Sequence, residues 1–140
     1  IAADRLIVVA APGHPLAERA RPLGAGELKA LDWALREAGS GTRSEFEAAL
    51  PRGMAASDLK TALVLPSNEA ILTAVAVAVA AGAGDGGGLV TAISELAARS
   101  LIEAGRLVRL PLDLPERPFY RLRHRERGAS RAAEAFAAAL

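Results

Sequence analysis

The chain has 140 residues, of which 51% are hydrophobic, 24% charged and 4% aromatic, a composition that fits one globular domain and excludes a disordered or fibrous chain. With no cysteine it holds no disulfide, zinc ribbon, iron–sulfur cluster or thiol nucleophile, which fits a reducing compartment and makes the cytoplasm the expected location. Seventeen basic residues against sixteen acidic ones leave a net charge of +1, too small a basic excess for a chain that grips nucleic acid through its phosphates.

No membrane partner is expected. The longest apolar tract, residues 70–83, is alanine- and valine-rich and short for a bilayer span. The first residues, Ile1-Ala2-Ala3-Asp4-Arg5, lack both the pattern of a secretory signal and an initiator Met, so the segment is expected to start inside a longer protein.

Leu6 to Val9 is a continuous apolar run rich in β-branched residues and closed by Pro12-Gly13-His14-Pro15, which predicts a strand buried on both faces and then a turn. Apolar residues at Leu23, Leu28 and Leu31 suit a short helix, and Trp33-Ala34-Leu35 a second strand. After the break at Gly39-Ser40-Gly41 the spacing becomes helical, with Thr42 and Glu45 matching a T-x-x-E capping box, Phe46, Ala49 and Leu50 on one face, and Pro51 as the stop. Residues 62–65 form a third candidate strand, followed by the cap-like Ser67-Asn68 and a helix from about Glu69 to about Ala81. The Ala-Val alternation over 74–80 has period two and equally suits a strand.

Five glycines within 82–88 make a loop. Residues 89–92 read as a strand, 94–104 as a helix stopped by Gly105, and 107–110 as another strand. The stretch 111–118 reads as a proline-punctuated connection and 119–124 as a strand. Ser130 then caps a final helix to Leu140, with Ala132, Ala135, Phe136 and Ala139 as its apolar stripe. Strands alternating with helices predict an α/β fold with a mixed, mostly parallel sheet flanked by helices.

Two junctions carry candidate chemistry. Arg36 to Arg43 lies where a strand gives way to a helix, and Ser40, Gly41, Thr42 and Arg43 would offer hydroxyls, free N–H groups and a guanidinium to a small anion. Ser67, Asn68 and Glu69 occupy a second such junction. Plain helix capping explains both, and on the residues alone it is the stronger explanation.

Residues 82–87 match G-x-G-x-x-G, but the acidic residue weighed as its partner, Asp113, lies past a proline and beyond the usual spacing of about twenty residues, the match is not in the first βαβ unit, and a glycine tract this dense meets the pattern easily, so a nucleotide site is not expected. The arginines at 117, 121, 123, 125, 127 and 131 are interrupted by Glu116 and Glu126 and read as a solvated strand edge with its loop. His14 and His124 belong to no metal-ligand spacing, and Ser40 sits in no nucleophile elbow; neither metal, cofactor nor enzymatic chemistry is expected.

Taken in order, Asp4 to Val9, Pro12-Gly13-His14-Pro15-Leu16-Ala17, Trp33 to Glu37 with Gly39-Ser40-Gly41-Thr42-Arg43, Ser67 to Ile71, Glu103 to Leu107, Arg117-Pro118-Phe119-Tyr120, Arg123-His124-Arg125 and the closing helix resemble the C-terminal effector-binding region of LysR-type transcriptional regulators. The resemblance implies a lobe of the type II periplasmic-binding-protein fold: residues 1–115 as the second lobe, and 116–140 as a crossover strand and a helix returning toward a first lobe. It further implies an interlobe cleft lined by Ser40, Gly41 and Thr42 and by Ser67, Asn68 and Glu69. It implies a small-molecule effector as ligand, homo-oligomers, and contact with DNA only through an N-terminal helix-turn-helix outside this segment. The stretch 74–88 departs from the family pattern, being several residues longer and richer in Ala, Val and Gly. A solute-binding protein or an enzyme fragment on a similar scaffold is the alternative, since a fold alone does not fix function.

Overall fold

A computed structural model describes residues 3–78, 87–118 and 130–139. The described elements, in chain order, are β1 (Ala3–Ala10), α1 (Ala25–Ala30), β2 (Asp32–Arg36), α2 (Gly41–Ala48), a 3-10 turn (Ala56–Asp58), β3 (Lys60–Leu65), α3 (Asn68–Val77), β4 (Leu89–Ser94), α4 (Glu95–Glu103), β5 (Val108–Leu110), β6 (Glu116–Pro118) and α5 (Arg131–Ala138).

Five strands lie in the order β3-β2-β4-β1-β5, and β6 pairs with the start of β1. The sheet is mixed and flanked by helices, as the alternating pattern predicts, but it is not mostly parallel. Pairings β2–β3 and β2–β4 are parallel, whereas β1 meets β4, β5 and β6 antiparallel. Helical crossovers make the parallel half. The antiparallel half arises because β4 pairs back along β1, a partner more than eighty residues distant that no local periodicity reports.

Alternation along β1 explains how one strand serves two cores. Leu6, Val8 and Ala10 face a cluster with Trp33, Leu35, Leu28 of α1 and Phe46 of α2; Ile7 and Val9 face the opposite cluster with Ala34, Ile93 and residues of α3 and α4. Ile7, Val8 and Val9 are wholly buried, and each such side chain contributes about 1.5–3 kcal/mol. Trp33 stacks at a tilt on Phe46, with centroids 4.8 Å apart, and its indole N–H donates to the Leu28 carbonyl at 2.8 Å, so the largest ring in the core keeps its polar atom satisfied.

Several local expectations shift. The period-two reading of 74–80 gives way to helix as far as Val77: Ile71, Leu72 and Val75 are buried and Val77 is half exposed, the one-sided burial of a helix. The proline-punctuated stretch 111–118 contains β6, whose three residues pair with Ala3, Asp4 and Arg5. The described part of the G-x-G-x-x-G match is Gly87, and the expected strand at 119–124 lies outside the described residues, as do Arg121, Arg123, His124, Arg125 and Arg127. Gly105 ends α4 at φ +69°, as expected. Ser130 caps α5 by accepting from the Ala133 N–H, but no residue of the helix is buried, and Phe136 is 68% exposed.

His14 is buried in the turn after β1. Its Nδ1 accepts from the Leu16 N–H, and Nε2 has no hydrogen-bond partner among the described residues. Gly87 at φ +85° lies against this turn; a Cβ there would sit 2.7 Å from Pro15 Cδ and 2.9 Å from the imidazole. Only glycine fits that approach.

Candidate ligand crevice

Strands β2 and β3 are parallel neighbours with Arg36 opposite Leu65, so their C-terminal ends leave the sheet side by side, about 4.8 Å apart. The chain then goes to opposite faces: α2 packs through Phe46 on one core, α3 through Ile71 and Val75 on the other. That divergence defines a switch point, and the crevice between the two helix starts is where open α/β sheets take ligands.

Local chemistry builds both walls. Gly39, at φ +91°, turns the chain so that Ser40 becomes the N-cap of α2, its Oγ accepting from the Arg43 N–H at 3.5 Å. The Thr42–Glu45 capping box predicted from the sequence does not form. The helix begins at Gly41, which puts Thr42 inside its first turn, and the Glu45 carboxylate instead takes a bond from Arg117 at 2.9 Å. Ser67 caps α3, accepting from the Ala70 N–H at 3.1 Å, and the helix begins at Asn68, one residue before the predicted Glu69. The first N–H groups of each helix have no intrahelical acceptor, and both positive dipole ends open on the crevice.

Arg36 joins the walls. From the last position of β2 its guanidinium donates to Asn68 Oδ1 at 2.6 Å, and its other edge forks onto both Glu37 carboxylate oxygens at 2.8 and 2.9 Å. Glu37 accordingly raises the pKa of Arg36, and Arg36 lowers that of Glu37. Arg36 was not among the predicted site residues. Its signal was positional: a strand's last residue, beside the glycine turn.

Of the predicted residues, Ser40, Gly41 and Thr42 come together on one wall and Ser67, Asn68 and Glu69 on the other. Arg43 does not offer its charge to the crevice. Its Nε bonds Glu47 one helical turn on at 2.7 Å and its Nη1 bonds the Arg36 carbonyl at 3.0 Å. Glu69 is exposed and adds its field to Arg36.

Among the described residues, hollows lie elsewhere too, one of about 250 Å³ between α2 and residues 114–118 and one of about 210 Å³ lined by charged groups around Arg5, Glu95 and Arg99. Arg117 closes the first. Its fork bonds Asp4 Oδ2 at 2.7 and 3.1 Å, and the Asp4 side chain is 1% exposed. This arginine, predicted to lie on a solvated edge, is therefore in a buried ion pair across the β1–β6 ladder, because register sets it directly opposite Asp4. Among the described residues no group of three or more His, Cys, Asp or Glu could hold a metal, and no helix is long and apolar enough to cross a membrane.

The fold is an open mixed α/β sheet flanked by helices, with two capped helix starts side by side at the ends of β2 and β3. The chain belongs to the LysR substrate binding domain family, whose model matches residues 1–140. It is 34% identical over 116 residues to the uncharacterized HTH-type transcriptional regulator MJ0300 of Methanocaldococcus jannaschii, covering 80% of this chain and 35% of that protein. It is 33% identical over 135 residues to the HTH-type transcriptional regulator YeiE of Escherichia coli, covering 95% of this chain and 42% of that one. The chain thus spans between about a third and two fifths of these relatives. Among solved structures it is similar to the regulatory domain of Synechocystis CcmR in complex with 2-PG, with a TM-score of 0.75 and 27% identity over 98% of this chain and 61% of that one. The family is one of transcriptional regulators, not of enzymes, which sets aside the enzyme-fragment alternative.

Proposed function

We propose that this domain senses a small anionic metabolite for a LysR-type transcriptional regulator, and that residues 1–115 are the second lobe of an effector-binding domain whose crossover strand and return helix fall in 116–140. The effector lies against Ser40, Gly41, Thr42, Ser67, Asn68 and Glu69, and its binding changes the lobe arrangement and so the geometry of a DNA-bound homo-oligomer in the cytoplasm. DNA is reached through a helix-turn-helix elsewhere in the regulator.

The observation that carries this reading is the pairing of two capped helix starts at the ends of parallel neighbours β2 and β3, fastened by the Arg36–Asn68 bond. Both ends present N–H groups, which favours a carboxylate or phosphate. Similarity to a regulatory domain in complex with 2-PG supports a small ligand.

Thr42 offers a clean test because the cap belongs to Ser40. Thr42→Ala removes a hydroxyl from the crevice and leaves the helix start intact. The intact regulator is screened by thermal shift and by transcription against small carboxylates, organic phosphates and 2-PG. Thr42→Ala is expected to keep the unliganded melting temperature and lose the response to the active compound. If no anion in the set produces a response, or if Thr42→Ala responds like the parent, the assignment fails.

A further inference from the structure

We infer that Arg36 is a positioning residue that turns Asn68 into a hydrogen-bond donor toward the ligand, so that the crevice grips an oxyanion with neutral donors and keeps its guanidinium groups off it. This rests on the crevice being the ligand site. A guanidinium has five N–H donors and no acceptor, so the 2.6 Å bond from Arg36 Nη1 can end only on the oxygen of the Asn68 amide. The amide NH2 is then directed away from Arg36, and among the described residues it bonds no other side chain. Without Arg36 the amide could rotate and offer its oxygen, which an anion would repel.

The same geometry removes both nearby cations from direct service. Arg36 Nε and Nη2 are held by Glu37. Arg43 is held by Glu47 and by the Arg36 carbonyl. What remains for a ligand is the Thr42 hydroxyl, the N–H groups of the first turns of α2 and α3, and the Asn68 NH2. All can donate to oxygen, and none bears a formal charge. The ligand class that fits offers a compact set of acceptor oxygens, and its affinity depends little on salt because no mobile side-chain charge is neutralised on binding.

Inorganic phosphate serves as the probe, titrated into the chain and followed by NMR. The Thr42 and Glu69 N–H signals and the Asn68 side-chain NH2 pair are expected to move together, with affinity changing less than about threefold between about 0.05 M and about 0.3 M NaCl. Removing Arg36 would leave Glu37 unpaired, so its role is read in a Glu37→Gln background. There Arg36→Met is expected to weaken phosphate about tenfold, the loss of one strong donor, while Arg36→Lys, which still donates to Asn68 Oδ1, binds like the background. Several results overturn the inference alone: Thr42 and Glu69 move while the Asn68 NH2 stays still, Arg36→Met binds as the background does, or a steep salt dependence disappears with Arg36, which would mean direct contact. If neither Thr42 nor Glu69 responds to phosphate, the crevice reading itself fails and takes this inference with it. Should Arg36→Met not fold, the NH2 signal of the unmodified chain still decides.

Discussion

Replacing Arg117 by leucine should destabilise the domain more than replacing Asp4 by asparagine, although both changes break the same ion pair. Asp4 has a side chain only 1% exposed, whereas that of Arg117 is 23% exposed and also bonds Glu45. Arg117→Leu therefore strands a carboxylate in the interior with the Ser94 hydroxyl and the N–H groups of Arg5 and Leu96 as its remaining partners. Breaking a buried pair in that way costs about 3–5 kcal/mol. Asp4→Asn leaves a neutral amide that still accepts from Arg117 and Leu96, and Arg117 keeps Glu45, so the loss is nearer ~1–2 kcal/mol. Urea denaturation measures both as shifts in midpoint at constant slope. The double variant Asp4→Leu/Arg117→Leu should recover most of the larger loss, because the stranded charge is gone.

The pH dependence supplies a second check on the same pair. Burial works against the charged form of Asp4, but the hydrogen bonds from Ser94, Arg117 and the backbone outweigh it and hold the carboxyl below its ordinary value near 3.8. A lowered folded pKa means that the stabilisation is complete above about pH 4 and drains as pH falls through the folded value. With Arg117→Leu that acid-linked loss should shrink. Equal costs for the two single variants, or an unchanged acid limb, would refute the reasoning.

Gly87→Ala should cost roughly 2–4 kcal/mol, because the methyl meets Pro15 and His14 at under 3 Å, whereas Gly39→Ala, at a similar positive φ but in open space, should cost only about 1–2 kcal/mol; denaturation curves of the two variants compare steric with conformational penalty directly. Burial lowers the pKa of His14 below 6.5, so the unfolded chain takes a proton before the folded one does, and stability should fall as pH drops below about 6.5, a slope that His14→Gln should remove in a stability–pH series. Phe46→Ala should cost about 3–5 kcal/mol and shift the emission of Trp33, the only tryptophan, to the red as water reaches the gap.

Local chemistry was legible in the sequence wherever one segment decided its own structure. The apolar run at 6–9, the cap at Ser67, the cap at Ser130 and the stop at Gly105 all stand where neighbouring residues place them. The N-cap of α2 was misread because Ser40 and Thr42 both have cap chemistry, and choosing between them required knowing that Glu45 is engaged by a residue 72 positions away. The same limit hid the antiparallel half of the sheet, and hid β6, whose three residues carry no periodicity of their own. At the crevice the sequence showed the two strand-to-helix junctions, with Ser40 and Ser67 as the residues that open α2 and α3. It could not show that Arg43 folds back on its own helix, nor that Arg36 reaches across to Asn68.

The β1–β6 ladder joins residues 113 positions apart, so it closes nearly the whole described chain into one loop. Contacts of such separation are unfavourable early in folding, when closing the loop costs entropy that few contacts yet offset. The ladder holds three residue pairs and carries little of either core, so the strands that hold the buried clusters gather without it, and the ladder with its Asp4–Arg117 pair is expected to form after the rate-limiting step. Substitutions in this pair should therefore appear almost entirely in the unfolding limb of a chevron plot, with refolding rates near those of the parent. The same ladder then acts as a kinetic latch that sets how long the folded domain lasts, and not how fast it is made.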